Sequence, residues 1–205
     1  MKKLSIAAFL VAILPLTIGA ISADIEDAKE DKQAMANTLF LMDKATNFTD
    51  SPNLFAKRVN EISKNLDIPA DWLMGLMHSE SGFDPKIKNR KGSGAKGLIQ
   101  WTQATLRAYG IKTLPKTPLE QLDYVEAYLT DQKKRYGSFK SFTTLKLAVL
   151  YPVAMKKRSN YVLYESPFLD YHQNEGLDTN KDGKVTVADI ERKMKADYPE
   201  MYELN

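Results

Sequence analysis

The chain has 205 residues, 43% of them hydrophobic and 27% charged, which suits one domain of ordinary size with a small appendage and argues against a disordered chain. Without Lys2 and Lys3 the 29 basic residues fall to 27, against 26 acidic residues, so the formal charge drops from +3 to +1 and a nucleic-acid partner is not expected. Cysteine is absent, so a packed core must supply the stability, with a bound metal as the other candidate.

Residues 1–23 have the pattern of an export signal. A basic start is followed by an uncharged apolar run over residues 4–20, and small residues stand at its end. The alternative is an uncleaved anchor, because about 20 apolar residues can span a bilayer. Pro15 within the run favours cleavage. We therefore expect an exported protein, periplasmic or extracellular, that meets a membrane only through this signal.

The next part of the chain predicts helices. Residues 24–50 are assigned to an N-terminal helix or tether without chemistry. A helix is predicted to begin at Ser51-Pro52 and to break at residues 67–69. Its apolar residues recur near the 3.6-residue period; they are Leu54, Phe55, Val59, Ile62 and Leu66.

The following helix carries a carboxylate on its apolar face. Trp72, Leu76 and Glu80 are four residues apart, so Glu80 continues the apolar stripe. Gly82 suits the C-terminal cap, which places Glu80 in the last turn. Apolar surroundings and the negative end of the helix dipole both disfavour the charged carboxylate, as a general acid requires. The alternative is a partly exposed carboxylate at a helix end.

The rest of the main domain predicts a loop followed by further helices, with no pattern typical of a sheet. Residues 83–96 predict a glycine- and lysine-rich loop. Helices are predicted from Thr117-Pro118 to Gly137 and from about Phe142 to Tyr151, and a short helical segment over residues 159–164. No run alternates with period two, so the predicted fold class is all-α.

Four short motifs resemble those of one enzyme family. Residues 80–85 read ESGFDP and residues 97–100 read GLIQ. Residues 148–151 read AVLY, and residues 160–162 read NYV. In this order they resemble the motifs of lytic transglycosylases, lysozyme-like enzymes that cleave peptidoglycan strands. The resemblance covers about residues 54–165 and implies a lysozyme-like domain over residues 51–170.

The resemblance implies one acid-base residue. Glu80 would cleave the β-1,4 bond between N-acetylmuramic acid and N-acetylglucosamine without water and leave a 1,6-anhydro end. Ser81 would orient Glu80, and Gln100 would bind a sugar acetamido or carbonyl group. Tyr151 and Tyr161 would line the cleft.

Each of these roles has an alternative. Gln100 could satisfy backbone groups, and Tyr151 and Tyr161 could be core aromatic residues. Hydrolysis with Asp84 as the second carboxylate is the secondary mechanism. Pro152-Val153 stands where the family has Asn-Ala-Gly, so a catalytically inactive, calcium-dependent module that binds cell-wall glycan or protein is the alternative function.

A second motif lies in the C-terminal segment, residues 171–205. Residues 178–189 read DTNKDGKVTVAD, which resembles the calcium loop of EF-hands and dockerin-like modules. The implied ligands are Asp178, Asn180, Asp182, the carbonyl of Lys184, Thr186 and Asp189. The alternative is an Asx-rich turn that caps a helix. Only one such loop is present, so the expected role is a structural Ca²⁺ clip with no cofactor needed for catalysis.

Together these patterns predict a monomer that acts on peptidoglycan glycan strands, with no nucleic-acid partner.

Overall fold

Helices dominate the structure. The computed structural model describes residues 39–89 and 92–203, of which 58% are helical and 6% are in β structure. The all-α expectation is therefore confirmed for the main architecture, to which a two-stranded sheet is added. The predicted export signal lies outside the described residues. None of the described helices is both long enough and apolar enough to cross a membrane.

The main domain contains six helices within the described residues. They are α1 (Met42–Ala45), α2 (Pro52–Leu66), α3 (Ala70–Ser81), α4 (Gln103–Ala108), α5 (Pro118–Tyr136) and α6 (Phe142–Leu150). A 3₁₀ turn, Pro152–Lys156, follows. The C-terminal part contains β1 (Val162–Glu165), α7 (Leu169–Asn174), β2 (Lys184–Thr186) and α8 (Val187–Asp197), with 3₁₀ turns at Glu175–Leu177 and Pro199–Tyr202.

The predicted helix starts have local causes in the structure. Pro52 opens α2, and the Thr117 side chain accepts a hydrogen bond from the backbone N–H of Glu120 at the start of α5. Such caps satisfy N–H groups that have no partner within the helix. The short helical segment predicted over residues 159–164 is wrong. The carbonyls of Ser159 and Tyr161 accept hydrogen bonds from the first turn of α8, and Val162–Glu165 pairs with β2.

The core surrounds α3. Leu73, Met74, Leu76 and Met77 are fully buried, and α3 packs against α2, α6 and the C-terminal 3₁₀ turn. The Trp72 indole N–H donates to the carbonyl of Met201 at 2.8 Å. Burial on several sides fixes α3 because each apolar side chain removed from water stabilises the fold.

The C-terminal part packs onto the main domain. β1 runs antiparallel to β2, with Val162 opposite Thr186, so the sheet joins chain segments on either side of the predicted boundary at residue 170. The ring of Tyr198 lies 5.7 Å from that of Phe142 in α6. The C-terminal part therefore shares the core of the main domain.

Gln121 in α5 fixes the loop that precedes Gln100. The Gln121 side chain is fully buried. Its Oε1 accepts from the backbone N–H of Leu98 at 2.9 Å, and its Nε2 donates to the carbonyls of Pro85 and Pro115 at 2.8 and 2.7 Å. One amide thus satisfies three backbone groups of a segment that has little regular structure.

We expect Gln121→Leu to lower the free energy of unfolding by about 3 kcal/mol, because it leaves several buried backbone groups without partners. Urea denaturation measures this loss. Gln103→Leu, on the exposed side of α4, is the control and should stay within about 0.5 kcal/mol of the wild type. Equal effects of the two substitutions would contradict this role of Gln121.

Candidate active site

A cleft of about 530 Å³ opens beside the C-terminal end of α3. Its walls come from α3, the loop between α3 and α4, α6, β1 and α7. The residues that line it are Ser79, Glu80, Asn89, Ser93, Ala95, Gln100, Thr102, Lys146, Val149, Leu150, Tyr164, Gln173, Asn174, Gly176 and Leu177. Amide, hydroxyl and apolar groups together suit a sugar, which presents both hydroxyl groups and apolar ring faces.

Glu80 enters the cleft from the last turn of α3. The helix ends at Gly82, which has φ +59° and donates its N–H to the carbonyl of His78. The Glu80 side chain is 12% exposed. The structure therefore brings Glu80 to the cleft wall in the position that the apolar stripe predicts.

Lys146 in α6 contacts Glu80 directly. Its Nζ lies 2.7 Å from Glu80 Oε1 and 3.1 Å from Ser79 Oγ, and its side chain is 9% exposed. The helix pattern of α3 alone does not predict this ion pair. Sequence reasoning missed Lys146, although three of its four neighbours at helical spacing are apolar, namely Phe142, Val149 and Leu150.

Ser81 and Gln100 hold the loop against α3. The buried Ser81 hydroxyl lies 3.0 Å from the carbonyls of Met77 and Leu98, so it ties the helix end to the turn before Gln100. Gln100 has φ +52°, and its Nε2 donates to the carbonyl of Gly97 at 3.2 Å. Gln100, the predicted sugar-binding residue, lines the cleft, whereas the hydroxyl of Ser81, which was predicted to orient Glu80, bonds to the backbone of Met77 and Leu98.

A tyrosine cluster forms one end of the cleft. The Tyr151 ring lies 6.4 Å from that of Tyr161 and 5.7 Å from that of Tyr164. Among these tyrosines, Tyr164 lines the cleft, and sequence reasoning missed it because β1 was expected to be helical. Burial raises the pKa of Tyr164 to about 12, and nearby negative charge, including that of Glu80, acts in the same direction. Tyr164 is therefore a neutral hydroxyl donor at neutral pH.

Asp84 and Pro152 lie elsewhere. Neither is among the described residues that line the cleft. Asp84 Oδ1 accepts from the backbone N–H of Lys86 at 2.8 Å, and Pro152 begins the 3₁₀ turn after α6. The departure at Pro152 therefore lies in the turn that follows Tyr151.

The far wall of the cleft belongs to the C-terminal part. Gln173 and Asn174 of α7 supply two amides that no sequence motif marked. A Cβ on Gly92 would lie 2.9 Å from Gln173 Nε2, so a residue without a side chain lets the loop approach α7. The loop and α7 are far apart in the sequence but meet at the cleft, where α7 supplies a second polar wall.

The loop over residues 178–189 has part of the predicted ligand arrangement. Asp178 Oδ2 accepts from the Gly183 N–H and from the Tyr171 hydroxyl, both at 2.9 Å. Asp178 Oδ1 is buried, and it has no hydrogen-bond partner among the residues that the structure describes. The Asp182 carboxylate accepts from Asn180 Nδ2 and from the Lys184 N–H. A buried carboxylate oxygen without a donor is a suitable ligand for a cation.

Asp189 has a different arrangement. Its Oδ1 accepts from Thr179 and from Arg192, and its Oδ2 accepts from the Thr186 backbone N–H at 3.0 Å. The last bond belongs to a capping box that starts α8. Over residues 39–89 and 92–203, no group of three His, Cys, Asp or Glu side chains is gathered as a metal site. In this structure the second half of the loop acts as a helix cap.

Comparison with known proteins gives one family match. Residues 72–156 match the phage tail lysozyme family. None of the curated protein sequences matches the chain. The matched segment includes Glu80, Gln100, Lys146 and Tyr151, whereas α7 and the loop over residues 178–189 lie outside it. The match supports a lysozyme-like fold and a glycan-cleaving enzyme of the cell wall, and it agrees with the sequence resemblance at the level of the lysozyme-like superfamily.

The capping box predicts a pH-dependent stability. Burial raises the pKa of Asp189, but the hydrogen bonds from Thr179, Thr186 and Arg192 outweigh burial and hold this pKa well below its usual range. Asp189 therefore stabilises the fold above the unfolded pKa of about 3.9, and this contribution is lost as the pH falls towards the folded pKa. In EDTA, Asp189→Asn should cost about 2 kcal/mol at pH 7, and the difference from the wild type should shrink below about pH 4.

Urea denaturation across this pH range measures the effect. The control is Asp197→Asn, because Asp197 forms an ion pair with Lys193 on the surface and such pairs contribute about 0.5 kcal/mol. A pH-independent difference between the wild type and Asp189→Asn would contradict the assignment.

Proposed function

We propose that the protein is an exported peptidoglycan lytic transglycosylase. It cleaves the β-1,4 bond between N-acetylmuramic acid and N-acetylglucosamine without water and leaves a 1,6-anhydro end. One observation carries the non-hydrolytic proposal: Glu80 is the only carboxylate among the described residues that line the cleft. Most glycosidases that use water need two carboxylates across the scissile bond, and Asp84 binds the backbone of its own loop.

The chemistry needs one group that acts twice. Protonated Glu80 donates its proton to the bridging oxygen, and the bond from C1 of the muramic acid to that oxygen breaks. The resulting carboxylate then takes the proton of the C6 hydroxyl while O6 bonds to C1. Glu80 is protonated again at the end, so atoms and charge balance without water.

Other cleft residues bind and orient the strand. Gln100, Gln173 and Asn174 offer amide donors and acceptors for sugar acetamido and hydroxyl groups. The neutral hydroxyl of Tyr164 is a further donor, and its ring can pack against a sugar face. Val149 and Leu150 supply the apolar part of the wall. Such contacts hold the scissile bond beside Glu80.

The test is digestion of purified murein followed by mass spectrometry. We expect products lighter by one water than the corresponding hydrolysis products. Glu80→Gln should reduce turnover by about a thousandfold or more, because it removes the proposed general acid and base. Glu200→Gln, on the exposed C-terminal turn, is the matched control and should retain the wild-type rate.

Two other outcomes would contradict the proposal. Products with only reducing ends would indicate a hydrolytic muramidase. Glycan retention without cleavage, lost on chelation, would indicate a calcium-dependent binding module.

We also propose that residues 178–189 bind one structural Ca²⁺. Asp178, Asn180 and Asp182 would supply side-chain oxygens, and the buried Oδ1 of Asp178 that lacks a donor supports this assignment. Lys184 would contribute its carbonyl and Thr186 a direct or water-mediated contact. Asp189 could bind the ion only if its carboxylate lost the hydrogen bonds that it accepts from Thr179 and Arg192. A bound ion would tie α7 to α8 and so hold the far wall of the cleft.

Millimolar Ca²⁺ should raise the melting temperature relative to EDTA by about 5 °C if its concentration is far above the dissociation constant. Asp178→Asn should remove most of this shift. Asp50→Asn, at an exposed position before α2, should retain it. Equal melting temperatures of the wild type in Ca²⁺ and EDTA, with no metal found in the protein, would refute the site.

Export is proposed from residues 1–23, with a periplasmic or extracellular location, peptidoglycan strands as the partner and a monomeric protein.

A further inference from the structure

The ion pair of Glu80 and Lys146 poses a problem for the proposed reaction. Lys146 Nζ lies 2.7 Å from Glu80 Oε1, so the two side chains form an ion pair. The reaction, however, begins with a protonated Glu80 that can donate to the bridging oxygen. A proton must therefore reach Glu80 after the glycan binds and before the bond breaks.

The surroundings of the pair offer one source. Lys146 is the only lysine or arginine, and Glu80 the only acid, among the described residues that line the cleft. Ser79 Oγ accepts from Lys146 Nζ at 3.1 Å, and the titratable neighbour Tyr164 holds its own proton at neutral pH because its pKa is raised to about 12. Lys146 thus carries the nearest acidic proton.

The pair is already close to full burial. The side chains of Lys146 and Glu80 are 9% and 12% exposed, and the cleft is the side on which a bound glycan would cover them. Covering the pair removes its remaining water. Loss of water disfavours two separate charges relative to a neutral amine and a neutral acid, because desolvation acts against the charged form of each group.

We propose that glycan binding transfers a proton from Lys146 Nζ to Glu80 and so creates the general acid. This inference rests on the proposed function. An N–H bond of Lys146 breaks and an O–H bond of Glu80 forms, which leaves a neutral amine and a carboxylic acid. Glu80 then donates to the bridging oxygen and takes the C6 hydroxyl proton. When the product leaves and water returns, this proton passes back to Lys146.

In this proposal Lys146 acts on the sugar only through Glu80, to which it supplies a proton. It is therefore a positioning residue. A purely structural ion pair would instead hold the Glu80 side chain in place. The two roles predict opposite results for two substitutions. Arginine keeps the positive charge and cannot release a proton, whereas methionine removes the charge and has a similar length.

The experiment compares kcat and KM on soluble murein strands for the wild type, Lys146→Arg and Lys146→Met. If Lys146 supplies the proton, Lys146→Arg should lower kcat by about a hundredfold or more, with little change in KM, because Glu80 stays charged. Lys146→Met should stay within about tenfold of the wild-type kcat, because Glu80 without a neighbouring cation can take its proton from water. Lys193→Arg and Lys193→Met are matched controls, since Lys193 pairs with Asp197 on the surface.

The reverse order, with Lys146→Arg active and Lys146→Met inactive, would overturn the inference and leave the proposed function intact. A wild-type protein that releases no product from murein would overturn both the inference and the proposed function.

Infrared difference spectroscopy gives a readout that does not need a folded variant at Lys146. Adding an N-acetylglucosamine oligosaccharide to the wild type should produce a carboxylic acid band that is absent from Glu80→Gln, and the lack of such a band would also overturn the inference.

Discussion

The ion pair between Glu80 and Lys146 is the constraint on which the candidate site depends. It joins α3 to α6 at the cleft wall, and each partner lies on an otherwise apolar helix face. A charge in such a position is tolerated only when it is paired, because removal of one partner would leave the other as an unpaired buried charge. In the proposed reaction, a glycan that covers the pair moves a proton from Lys146 to Glu80, so the same contact would prepare the general acid.

The C-terminal part belongs to the cleft as well as to the fold. Through Gln173 and Asn174, α7 supplies the far wall, and through Tyr171 the same helix donates to Asp178 of the proposed calcium loop. The loop and the cleft thus share one short helix. A short helix has little stability of its own, so what holds the loop also holds the far wall of the cleft. This connection gives a physical role to a segment that lies outside the matched family region.

Much of the architecture could be predicted from local patterns. The helices that begin at Pro52, Pro118 and Phe142, and the position of Glu80 in the last turn of α3, follow from caps and from the 3.6-residue period. The failed prediction over residues 159–164 has a long-range cause, since carbonyls of this segment accept hydrogen bonds from α8 and its last residues pair with β2. Tyr164 was missed for the same reason.

The sequence by itself determined that the chain forms a helical domain with one carboxylate on an apolar helix face and a loop rich in acidic and amide side chains near its end. Only the tertiary structure decided which groups meet Glu80. Lys146 follows it by 66 residues along the chain, and Gln173 lies in a segment with no motif. The spacing of apolar residues indicates which face of a helix or strand is apolar, but it does not indicate which other element packs against that face. The ion pair of Glu80 with Lys146 depends on that packing, because it joins two helices that are far apart along the chain.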